Sequence, residues 1–434
     1  MSQLVQAHRV HRSIYTEPQI FDQEMAKIFG GTWVYVAHES QVPEPNDFIT
    51  TALGRRELIV TRDRDGQLRA LFNRCSHRAS TVCQQEQGSA KHFQCSYHGW
   101  TYSNSGELVT IPDMAGYPAE FDKTDHGLAQ VPRLATFRGF VFGTLNTAAM
   151  PLLDWLGPAA DRIEEFVDRS PTGEIQLRNR QRMIYNGNWK LAWDNAADGA
   201  HPTFAHRSFV LLNERRHGGA KSLSQFKSTP DETEMYGEDL GNGHLFIDQR
   251  PGLNSSFWQA QRPIPGQEPY QERLVEEFGE TAPELLDLAA GSMVNLSIFP
   301  NLLLKGNHVE VVDPVRVDQT RLHTWMVAAV GVPEEVNVLR MRIAEDFPSL
   351  GNPDDLEIFE RCQQGLGISE IEWIDMSKGL GTPSDRPDSA GVRRVPVTHE
   401  APMRGYLREW TRLMADDPLR TIADSDSAVW EVVK

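Results

Sequence analysis

The spacing of hydrophobic residues divides the chain into a short helical start, a β-rich stretch and a longer mixed region. In residues 17–31 (EPQIFDQEMAKIFGG) the apolar positions recur at helical spacing and end in a Gly pair, which predicts a helix with its stop signal. From about residue 33 to 148 the pattern changes to short β-favouring runs cut by turn residues, which predicts a small all-β unit. The strand candidates are WVYVAHES, ELIVTRD, LRALFNRC, FQCSYHGWTY, GELVTI and GFVFGTLN, and the hairpin turns are RDRDGQ and SNSGE.

After Pro151 helical and β-type periodicities alternate over longer segments, which predicts a larger α+β domain behind the β domain. The predicted strands are EIQLRNRQRMIYN, VNLSIFPNLLLKGNHVEVVDPVRV and RLHTWMVAAVG. The predicted helices are LLDWLGPAADRIEEFVDRS, one starting at Asn188-Trp189-Lys190, one from about 334 to 346, one from Pro353, and MRGYLREWTRLMA. Residues 230–290 are polar and broken by Gly and Pro, so they receive no assignment, and 377–399 are expected to cross irregularly before the last helix.

Composition narrows the class of protein. With 434 residues the chain is long enough for two or three domains, and its 43 basic and 60 acidic residues give a net charge of −17. An acidic chain without a basic stripe argues against nucleic-acid binding, since phosphate neutralisation needs clustered Lys and Arg. No apolar run approaches the roughly 18 residues that span a bilayer, and the first residues contain no apolar signal segment.

Cysteine usage indicates the compartment. The four cysteines are Cys75, Cys83, Cys95 and Cys362. Such sparse cysteines in a large chain are typical of a reducing compartment, where thiols serve as metal ligands or as ordinary core residues. We therefore expect a cytoplasmic protein, with Cys83 and Cys362 as ordinary residues.

The other two cysteines each have a histidine close by. Cys75 precedes His77, and Cys95 precedes His98, so the chain reads Cys-x-His-x17-Cys-x2-His. Two Cys and two His can hold zinc or an iron–sulfur cluster. Zinc fingers usually have two cysteines in one motif and two histidines in the other, whereas here each motif contains one cysteine and one histidine. This mixed arrangement favours a Rieske [2Fe–2S] cluster, with the cysteines on one iron and the histidines on the other; a structural zinc site and chance spacing are the alternatives.

A second group of ligand-type residues occurs in NGNWKLAWDNAADGAHPTFAHRS. Asp198 and His201 are three residues apart, the spacing of one helical face, but His206 would point away on an unbroken helix. Because the residue before a proline is pushed out of the α region, Pro202 predicts a break at His201 that lets His206 turn back to the same metal. A lone histidine is more often a surface or core residue, but these two follow a predicted redox cluster.

Two histidines suggest a facial triad, in which a carboxylate completes the set and open positions remain on Fe(II) for dioxygen and substrate. The candidate carboxylates, Asp354 and Asp355, open the predicted helix at Pro353. Carboxylates at a helix start normally have a capping or dipole role. One of the pair could have that role while the other faces the iron, but the sequence alone favours it for both.

Together these motifs resemble the large (α) subunit of Rieske non-haem iron aromatic-ring-hydroxylating oxygenases. The similarity extends from IYTEPQIFDQEM and WVYVAHESQVP through GFVFGTLN to the IFPNLLL run, which is most of the chain. Within the family, the Asn-x2-Asp-Gly spacing at 195–199 and PDDLEIFERCQ at 353–363 are most similar to the benzoate, anthranilate and cumate dioxygenase group. The implied fold is α+β, with an all-β Rieske domain and a helix-grip catalytic domain built on a central antiparallel sheet.

The resemblance also implies the domain bounds and the site. It implies an N-terminal helical segment (1–35) packing on the catalytic domain, a Rieske domain (36–150) and a catalytic mononuclear iron domain (151–434). The implied cluster ligands are Cys75, His77, Cys95 and His98, and the implied iron ligands are His201, His206 and Asp355, with Asp354 as the fallback. Asp198 is implied to bridge an iron-ligand histidine to a cluster histidine, His98, of the neighbouring subunit, so that electrons can cross.

Two positions depart from the family pattern. Ala200 stands where a Tyr is frequent, and we expect it to widen the path near the iron. Asp194 stands where a Glu is common. Neither change removes a ligand.

The function implied is that of a terminal oxygenase. An NADH-dependent reductase, directly or through a ferredoxin, would supply electrons, and O2 would be added to an aromatic ring as a cis-dihydrodiol, with a small aromatic carboxylate as substrate. The family's usual assembly implies a homotrimer, or an α3β3 complex with a small β subunit. The alternatives are the same machinery acting as a monooxygenase (hydroxylase or demethylase), or a zinc-stabilised binding protein. A simple electron-transfer Rieske protein does not explain the length or the second motif.

Overall fold

The computed structural model describes residues 3–208, 211, 234–252, 258, 266–415 and 429–432. The chain forms two compact units. The larger comprises Met1–Glu24 and Leu153–Asp417, and the smaller comprises Met25–Leu152 and Pro418–Lys434.

The helices are α1 (Ser13–Thr16), α2 (Pro18–Lys27), α3 (Leu152–Leu156), α4 (Ala159–Val167), α5 (Lys190–Ala196), α6 (Pro202–Ala205), α7 (Glu268–Phe278), α8 (Ala282–Ala290), α9 (Glu334–Leu350), α10 (Asn352–Leu366) and α11 (Ala401–Ala415). The strands are β1 (Val5–Gln6), β2 (Arg9–His11), β3 (Val34–His38), β4 (Asp47–Leu53), β5 (Arg56–Arg62), β6 (Leu68–Phe72), β7 (Gln87–Ser89), β8 (His92–Gln94), β9 (Thr101–Ser103), β10 (Leu108–Thr110), β11 (Arg133–Phe137), β12 (Phe140–Thr144), β13 (Ile175–Tyr185), β14 (Tyr236–Gly241), β15 (His244–Asp248), β16 (Ser292–Ile298), β17 (Leu302–Gly306), β18 (His308–Arg316), β19 (Gln319–Ala329), β20 (Trp373–Asp375), β21 (Arg393–Pro396) and β22 (Val429–Val432).

The smaller unit is built from β-sheets, as its pattern predicts. Two sheets are antiparallel, with strand orders β6-β5-β4-β7 and β10-β9-β8. A third has the order β22-β11-β12-β3, in which β22 joins parallel to β11. Within residues 33–148 the pattern missed β4, β7 and β11. Strand β4 (DFITTAL) places small residues and threonines between its buried apolar positions, so its alternation is weak.

One apolar cluster of the smaller unit surrounds the two predicted cluster cysteines. Cys75 and Cys95 are each 2% exposed and pack in this cluster. Other members are Phe48, Ile59, Leu71, Val82, Cys83, Phe93, Trp100, Tyr102, Leu108, Ile111 and Leu128. Cys83 is a buried member of this core, which agrees with an ordinary packing role.

An eight-stranded antiparallel sheet forms the centre of the larger unit. Its order is β13-β19-β18-β17-β16-β15-β14-β21. The prediction that 377–399 cross irregularly is wrong in part, because Arg393–Pro396 form the edge strand beside β14. The unassigned segment 230–290 contributes β14, β15, α7 and α8. Their strands are short and interrupted by turn residues, which hides their periodicity.

Helix α9 runs past the predicted end at 346 and contains a proline. Pro348 cannot donate a hydrogen bond to the carbonyl of Ala344, four residues earlier. That carbonyl contacts the imidazole of His308 instead, with Nε2 at 2.5 Å from the oxygen. A tertiary contact therefore satisfies the group that the proline leaves free, and the helix continues to Leu350.

A fully buried ion pair ties the start of the larger unit to α5. Nζ of Lys190 lies 2.6 Å from Oε1 of Glu24, and neither side chain is exposed. The indole N–H groups of Trp189 and Trp410 donate to the same carboxylate at 2.9 and 2.6 Å. These partners explain why the Asn-Trp-Lys segment is buried at the start of α5.

Candidate metal centres

The two Cys-His loops of the smaller unit have the same backbone geometry. The amide of Ala79 donates to the carbonyl of Cys75 at 3.0 Å, and the amide of Gly99 donates to Cys95 at 2.9 Å. Each cysteine amide in turn donates to a carbonyl five residues later, on Ser80 and on Trp100. The matching turns present two similar Cys-His arms, as the motif predicts.

Gly99 is required by the second loop. Its φ is +73°, in the left-handed region, and a Cβ at this position would lie 2.9 Å from Cγ of Pro112. A larger residue would therefore strain the backbone and collide with the neighbouring turn.

The two loops bring the imidazoles of His77 and His98 together. Their ring centroids lie 4.6 Å apart, and the indole of Trp100 stacks on His77 at 5.0 Å. Nδ1 of His77 is buried and has no hydrogen-bond partner among the described residues, which is expected of a nitrogen that binds a metal. Burial, His98 and Arg78 lower the pKa of His77, which favours the neutral imidazole that a metal needs. The donor set therefore fits a Rieske cluster.

Tyr102 is a feature of this centre that the sequence analysis missed. Its hydroxyl lies 3.1 Å from Sγ of Cys75 and accepts a hydrogen bond from the amide of Ser76. A hydroxyl donor beside a cluster sulfur is one of the groups that set a cluster's reduction potential. In the sequence, Tyr102 is visible only as a tyrosine two residues after Gly99-Trp100, and nothing there indicates its contact with Cys75.

The second candidate centre, in the larger unit, joins His201, His206 and Asp355. Oδ1 of Asp355 lies 3.3 Å from Nε2 of His206 and 3.7 Å from Nε2 of His201. One ligand-type atom from each residue lies within 4.8 Å of the others. Two imidazoles and one carboxylate on one side of a cavity fit the facial set of a non-haem iron.

The break between the two histidines lies earlier than predicted. Helix α5 ends at Ala196, and residues 198–200 are not helical. His201 itself has α-helical angles (φ −60°, ψ −34°), and Pro202 is the first residue of α6, so the predicted break at His201 is wrong. Proline is favoured at a helix start because its missing N–H is not needed there.

Gly199 allows this break to pack against the chain. Its amide donates to the carbonyl of Val397 at 3.1 Å. A Cβ at Gly199 would lie 2.3 Å from Cγ2 of Val397, so only glycine permits this approach.

The Nδ1 atom of each histidine in this centre faces a further carboxylate, that of Asp198 or Asp354. Oδ2 of Asp198 lies 3.7 Å from Nδ1 of His201, and Oδ2 of Asp354 lies 3.5 Å from Nδ1 of His206. Both distances are longer than a hydrogen bond, so the two carboxylates act on the rings through their charge, from the side away from the Nε2 atoms that face Asp355.

Neither carboxylate caps α10, because the residue before the helix is Gly351, but both lie in the first turn of the helix, where the expected dipole role is met. Asp355 points to the two histidines, while Asp354 accepts hydrogen bonds from the hydroxyl of Ser208 at 3.1 and 3.2 Å. The structure therefore places Asp355 between the Nε2 atoms and Asp354 behind one ring.

Ionisation in this centre follows burial and local charge. Burial raises the pKa of Asp355, although His206 and His201 oppose that effect. Burial also raises the pKa of Asp198, but the nearby imidazole of His201 and the hydrogen bond from the amide of Ala200 outweigh it and hold that pKa below its usual range. Asp198 is thus an ionised carboxylate at neutral pH.

Asn195 is a further residue of the centre that the sequence analysis did not single out. Its amide nitrogen donates to Oδ1 of Asp355 at 3.0 Å and lies 3.2 Å from Nε2 of His201. The Asn-x2-Asp spacing was visible in the sequence, but nothing there placed Asn195 beside Asp355.

The two departures from the family pattern lie in different surroundings. Asp194 accepts hydrogen bonds from the hydroxyls of Tyr15 (3.0 Å) and Tyr406, so the shorter side chain is held by two tyrosines. Ala200 is not part of the cavity wall formed by the described residues, whereas Gly199 and His201 are.

A cavity of about 310 Å³ opens beside His201, His206 and Asp355. One wall is a face of the large sheet, and the opposite wall includes α9 and the start of α10. Its volume is at the lower end of the range of about 300–1,000 Å³ for small-molecule sites, so it suits a small ligand.

The fold and the two centres define a metalloenzyme with a cluster-binding β unit and a catalytic unit around a mononuclear metal. Comparison with known families supports this class. Residues 32–135 match the Rieske [2Fe-2S] domain, and residues 160–416 match the ring hydroxylating alpha subunit (catalytic domain).

Individual relatives agree. The chain is 36% identical over 409 residues to the toluate 1,2-dioxygenase subunit alpha of Pseudomonas putida, covering 89% of this chain and 85% of that one. It is 33% identical to the anthranilate 1,2-dioxygenase large subunit of Acinetobacter baylyi, with 94% and 90% covered. The crystal structure of naphthalene 1,2-dioxygenase from Rhodococcus sp. superposes with a TM-score of 0.74 at 28% identity, covering 94% of this chain and 95% of that one.

The chain therefore belongs to the Rieske non-haem iron ring-hydroxylating oxygenase α-subunit family, as its motifs predict. It is an oxidoreductase of the dioxygenase type that uses a [2Fe–2S] cluster and a mononuclear iron. Members of this family are terminal oxygenases that take electrons from a reductase and assemble as oligomers of α subunits. Within the described part of the chain, every helix is too short or too polar to cross a membrane.

Proposed function

We propose that this chain is the α subunit of a dioxygenase that adds both atoms of O2 to adjacent ring carbons of a small aromatic carboxylate. The product is a cis-dihydrodiol. The observation that carries this proposal is the set of two Nε2 atoms and one carboxylate oxygen at the edge of a small cavity. The substrate class is supported by the named relatives, which are dioxygenases of toluate, 2-halobenzoate and anthranilate.

In this proposal Cys75, His77, Cys95 and His98 hold the [2Fe–2S] cluster. The buried thiols bind one iron and the paired imidazoles bind the other. Tyr102 donates to the sulfur of Cys75 and so takes part in setting the potential of the cluster.

His201, His206 and Asp355 hold the mononuclear iron, which when bound supplies the redox chemistry that activates dioxygen. Asp198 and Asp354 orient the two imidazoles through their Nδ1 atoms, so that both Nε2 atoms point to Asp355. Asn195 donates to Oδ1 of that carboxylate, the oxygen that faces both Nε2 atoms, and restricts its rotation. The residues therefore fix three ligands and leave the cavity side open for substrate.

Asp198 has a second role in this proposal. Its carboxylate contacts His201, and a second contact to the partner subunit's His98 would join the cluster of one subunit to the iron of the next. The carboxylate is ionised and hydrogen-bonded to the amide of Ala200, which holds it in one orientation. Electrons reach the cluster from an NADH-dependent reductase, directly or through a ferredoxin.

We propose a cytoplasmic homotrimer, or an α3β3 assembly with a small β subunit. A bridge through Asp198 requires the cluster of one subunit to lie next to the iron of another, and a closed ring of three subunits would allow this at every interface. Size-exclusion chromatography with light scattering, with and without a co-expressed β subunit, measures this assembly directly.

The experiment that tests the reaction is turnover with a reductase system under ¹⁸O2, over a panel of aromatic acids and neutral aromatics. Two labelled oxygens on adjacent carbons of an aromatic acid are the expected result. One labelled oxygen would make the protein a monooxygenase with the same site, and oxidation of neutral aromatics alone would overturn the substrate class.

A further inference from the structure

Lys305 lies on the sheet wall of the cavity, in the middle of the sheet. Its strand, β17, lies between β16 and β18, where Lys305 is directly opposite Asn295 on one side and His308 on the other. Directly opposed residues point to the same face of a sheet. All three line the cavity that also contains His201 and Asp355.

Glu310 and Thr324 hold the ammonium group of Lys305 in place. Nζ of Lys305 donates to Oε1 of Glu310 at 2.8 Å, and the hydroxyl of Thr324 donates to Oε2 at 3.1 Å. The Glu310 side chain is 4% exposed and the Lys305 side chain is 25% exposed. An ammonium has three N–H donors, and Glu310 is the one partner of Nζ among the described residues. Donors therefore remain for a ligand.

The other charges of the wall make Lys305 the preferred place for an anion. Among the described residues that line the cavity, Lys305 is the one lysine or arginine. The acidic residues of the wall are Asp198, Glu310, Asp346 and Asp355. A carboxylate that leaves water needs a positive or hydrogen-bonding partner, and near the acidic residues it would be repelled.

Lys305 lines the same cavity as the three proposed iron ligands, His201, His206 and Asp355. An anion bound to Lys305 therefore lies in the space onto which the proposed iron site opens.

The remaining wall suits an aromatic ring. Its apolar residues include Ile247, Ala290, Val294, Ile343 and Phe347. Apolar walls with a small number of placed polar groups are typical of sites that bind one small molecule in one orientation.

We propose that the ammonium of Lys305, oriented by Glu310, binds the carboxylate of the substrate and selects aromatic acids over neutral aromatics of the same size. This inference rests on the proposed function and adds the residue that determines specificity. It also explains how a chain with a net charge of −17 can accept an anion, since recognition is local.

The test is binding of benzoate and 3-methylbenzoate, each compared with its amide, to the anaerobic holoenzyme by titration calorimetry. The variants are Lys305→Met, Lys305→Arg and the double variant Lys305→Met/Glu310→Gln, which leaves no unpaired buried carboxylate. Lys378→Met is the matched control, because Lys378 is an exposed lysine of the same unit that does not line the cavity.

We expect both Lys305→Met proteins to bind the acids about tenfold or more weakly, while binding of the amides changes less than about twofold. Lys305→Arg should retain most of the preference for acids, and Lys378→Met should match the wild type. Equal weakening for acids and amides, or unchanged acid binding in both Lys305→Met proteins, would overturn the inference.

The two proposals fail in different ways. If the wild type oxidises aromatic acids but the acid-to-amide preference survives Lys305→Met, only the role of Lys305 is wrong. If the wild type binds and oxidises neutral aromatics but none of the acids, the proposed substrate class is wrong, and the role of Lys305 with it.

Discussion

Oδ1 of Asp355 lies 3.3 Å from Nε2 of His206, although Asp355 belongs to α10 and His206 follows the end of α6, far apart in the chain. The neighbouring Asp354 lies on the other side of the same imidazole, 3.5 Å from Nδ1. Adjacent carboxylates thus occupy the two ends of one ring, and their substitution should have different consequences.

Asp355→Ala should lose the mononuclear iron, because the carboxylate of the proposed ligand set is removed. Asp354→Asn should retain iron but bind it about 10–100-fold more weakly, as expected when a group that orients a ligand is changed. Iron analysis after graded chelation should rank the wild type first, Asp354→Asn second and Asp355→Ala last, with the cluster spectrum intact in all three. The reverse order of the two variants would make Asp354 the ligand.

Cys75→Ser should abolish the visible and EPR spectra of a Rieske cluster, because one of its two thiolates is lost. Cys83→Ser provides the control, since Cys83 is also a buried cysteine of the same cluster of apolar residues. That variant should keep the full spectrum, even if its thermal stability falls. A cluster that survives in Cys75→Ser would contradict the ligand assignment.

Asp198→Ala should leave both metal centres largely bound but stop turnover. The carboxylate contacts Nδ1 of His201 from outside the ligand set, so its loss interrupts the proposed path of electrons. The measurement is single turnover of a pre-reduced enzyme: the cluster of the variant should stay reduced while that of the wild type is oxidised. Full activity of Asp198→Ala would exclude the bridging role.

Lys190→Met should destabilise the larger unit by about 3–5 kcal/mol, because it leaves the carboxylate of Glu24 buried and unpaired. The double variant Glu24→Gln/Lys190→Met removes both charges and should recover much of that loss. The single oxygen of the introduced amide can still accept a hydrogen bond from one of the two indole N–H groups, of Trp189 or Trp410, so the recovery should be incomplete. Denaturant unfolding of the three proteins checks this, and a double variant no more stable than Lys190→Met would refute it.

Asp194 should make stability depend on pH between about 4 and 7. Burial raises the pKa of Asp194 to about 6, although hydrogen bonds from Tyr406 and Tyr15 oppose the increase. The ordinary pKa in the unfolded chain is about 3.9. Since the folded pKa is the higher one, the native state binds the proton more tightly, and this stabilisation is present at low pH and lost as pH rises through about 6.

Asp194→Asn cannot titrate, so its thermal midpoint should improve relative to the wild type as pH increases from 4.5 to 7.5. The corresponding change in the free energy of unfolding, relative to the wild type, is at most about 3 kcal/mol. Differential scanning fluorimetry of both proteins across this range measures the difference, and a constant difference would show that Asp194 does not titrate there.

How far the fold and the site could be predicted differed between elements. Most strands of the β unit and of the large sheet followed from periodicity, because alternation and helical spacing are local properties. The approximate starts of α2, α9, α10 and α11 followed as well, but those of α7 and α8 did not. Strand β21 and the extension of α9 past Pro348 could not be predicted. The first depends on pairing with β14, and the second on a hydrogen-bonding partner, His308, from another strand.

The sequence by itself determined the class of protein and most of the ligand candidates, because two motifs with fixed spacing carry the metal-binding residue types. Only the tertiary structure placed Asp355 beside the Nε2 atoms and Asp354 beside Nδ1 of His206, moved the helix break to 198–200, and brought Asn195 and Lys305 to the same cavity. Those facts depend on which side chains from distant strands and helices face each other. Such contacts arise from the packing of helices on the sheet, and no local spacing encodes them.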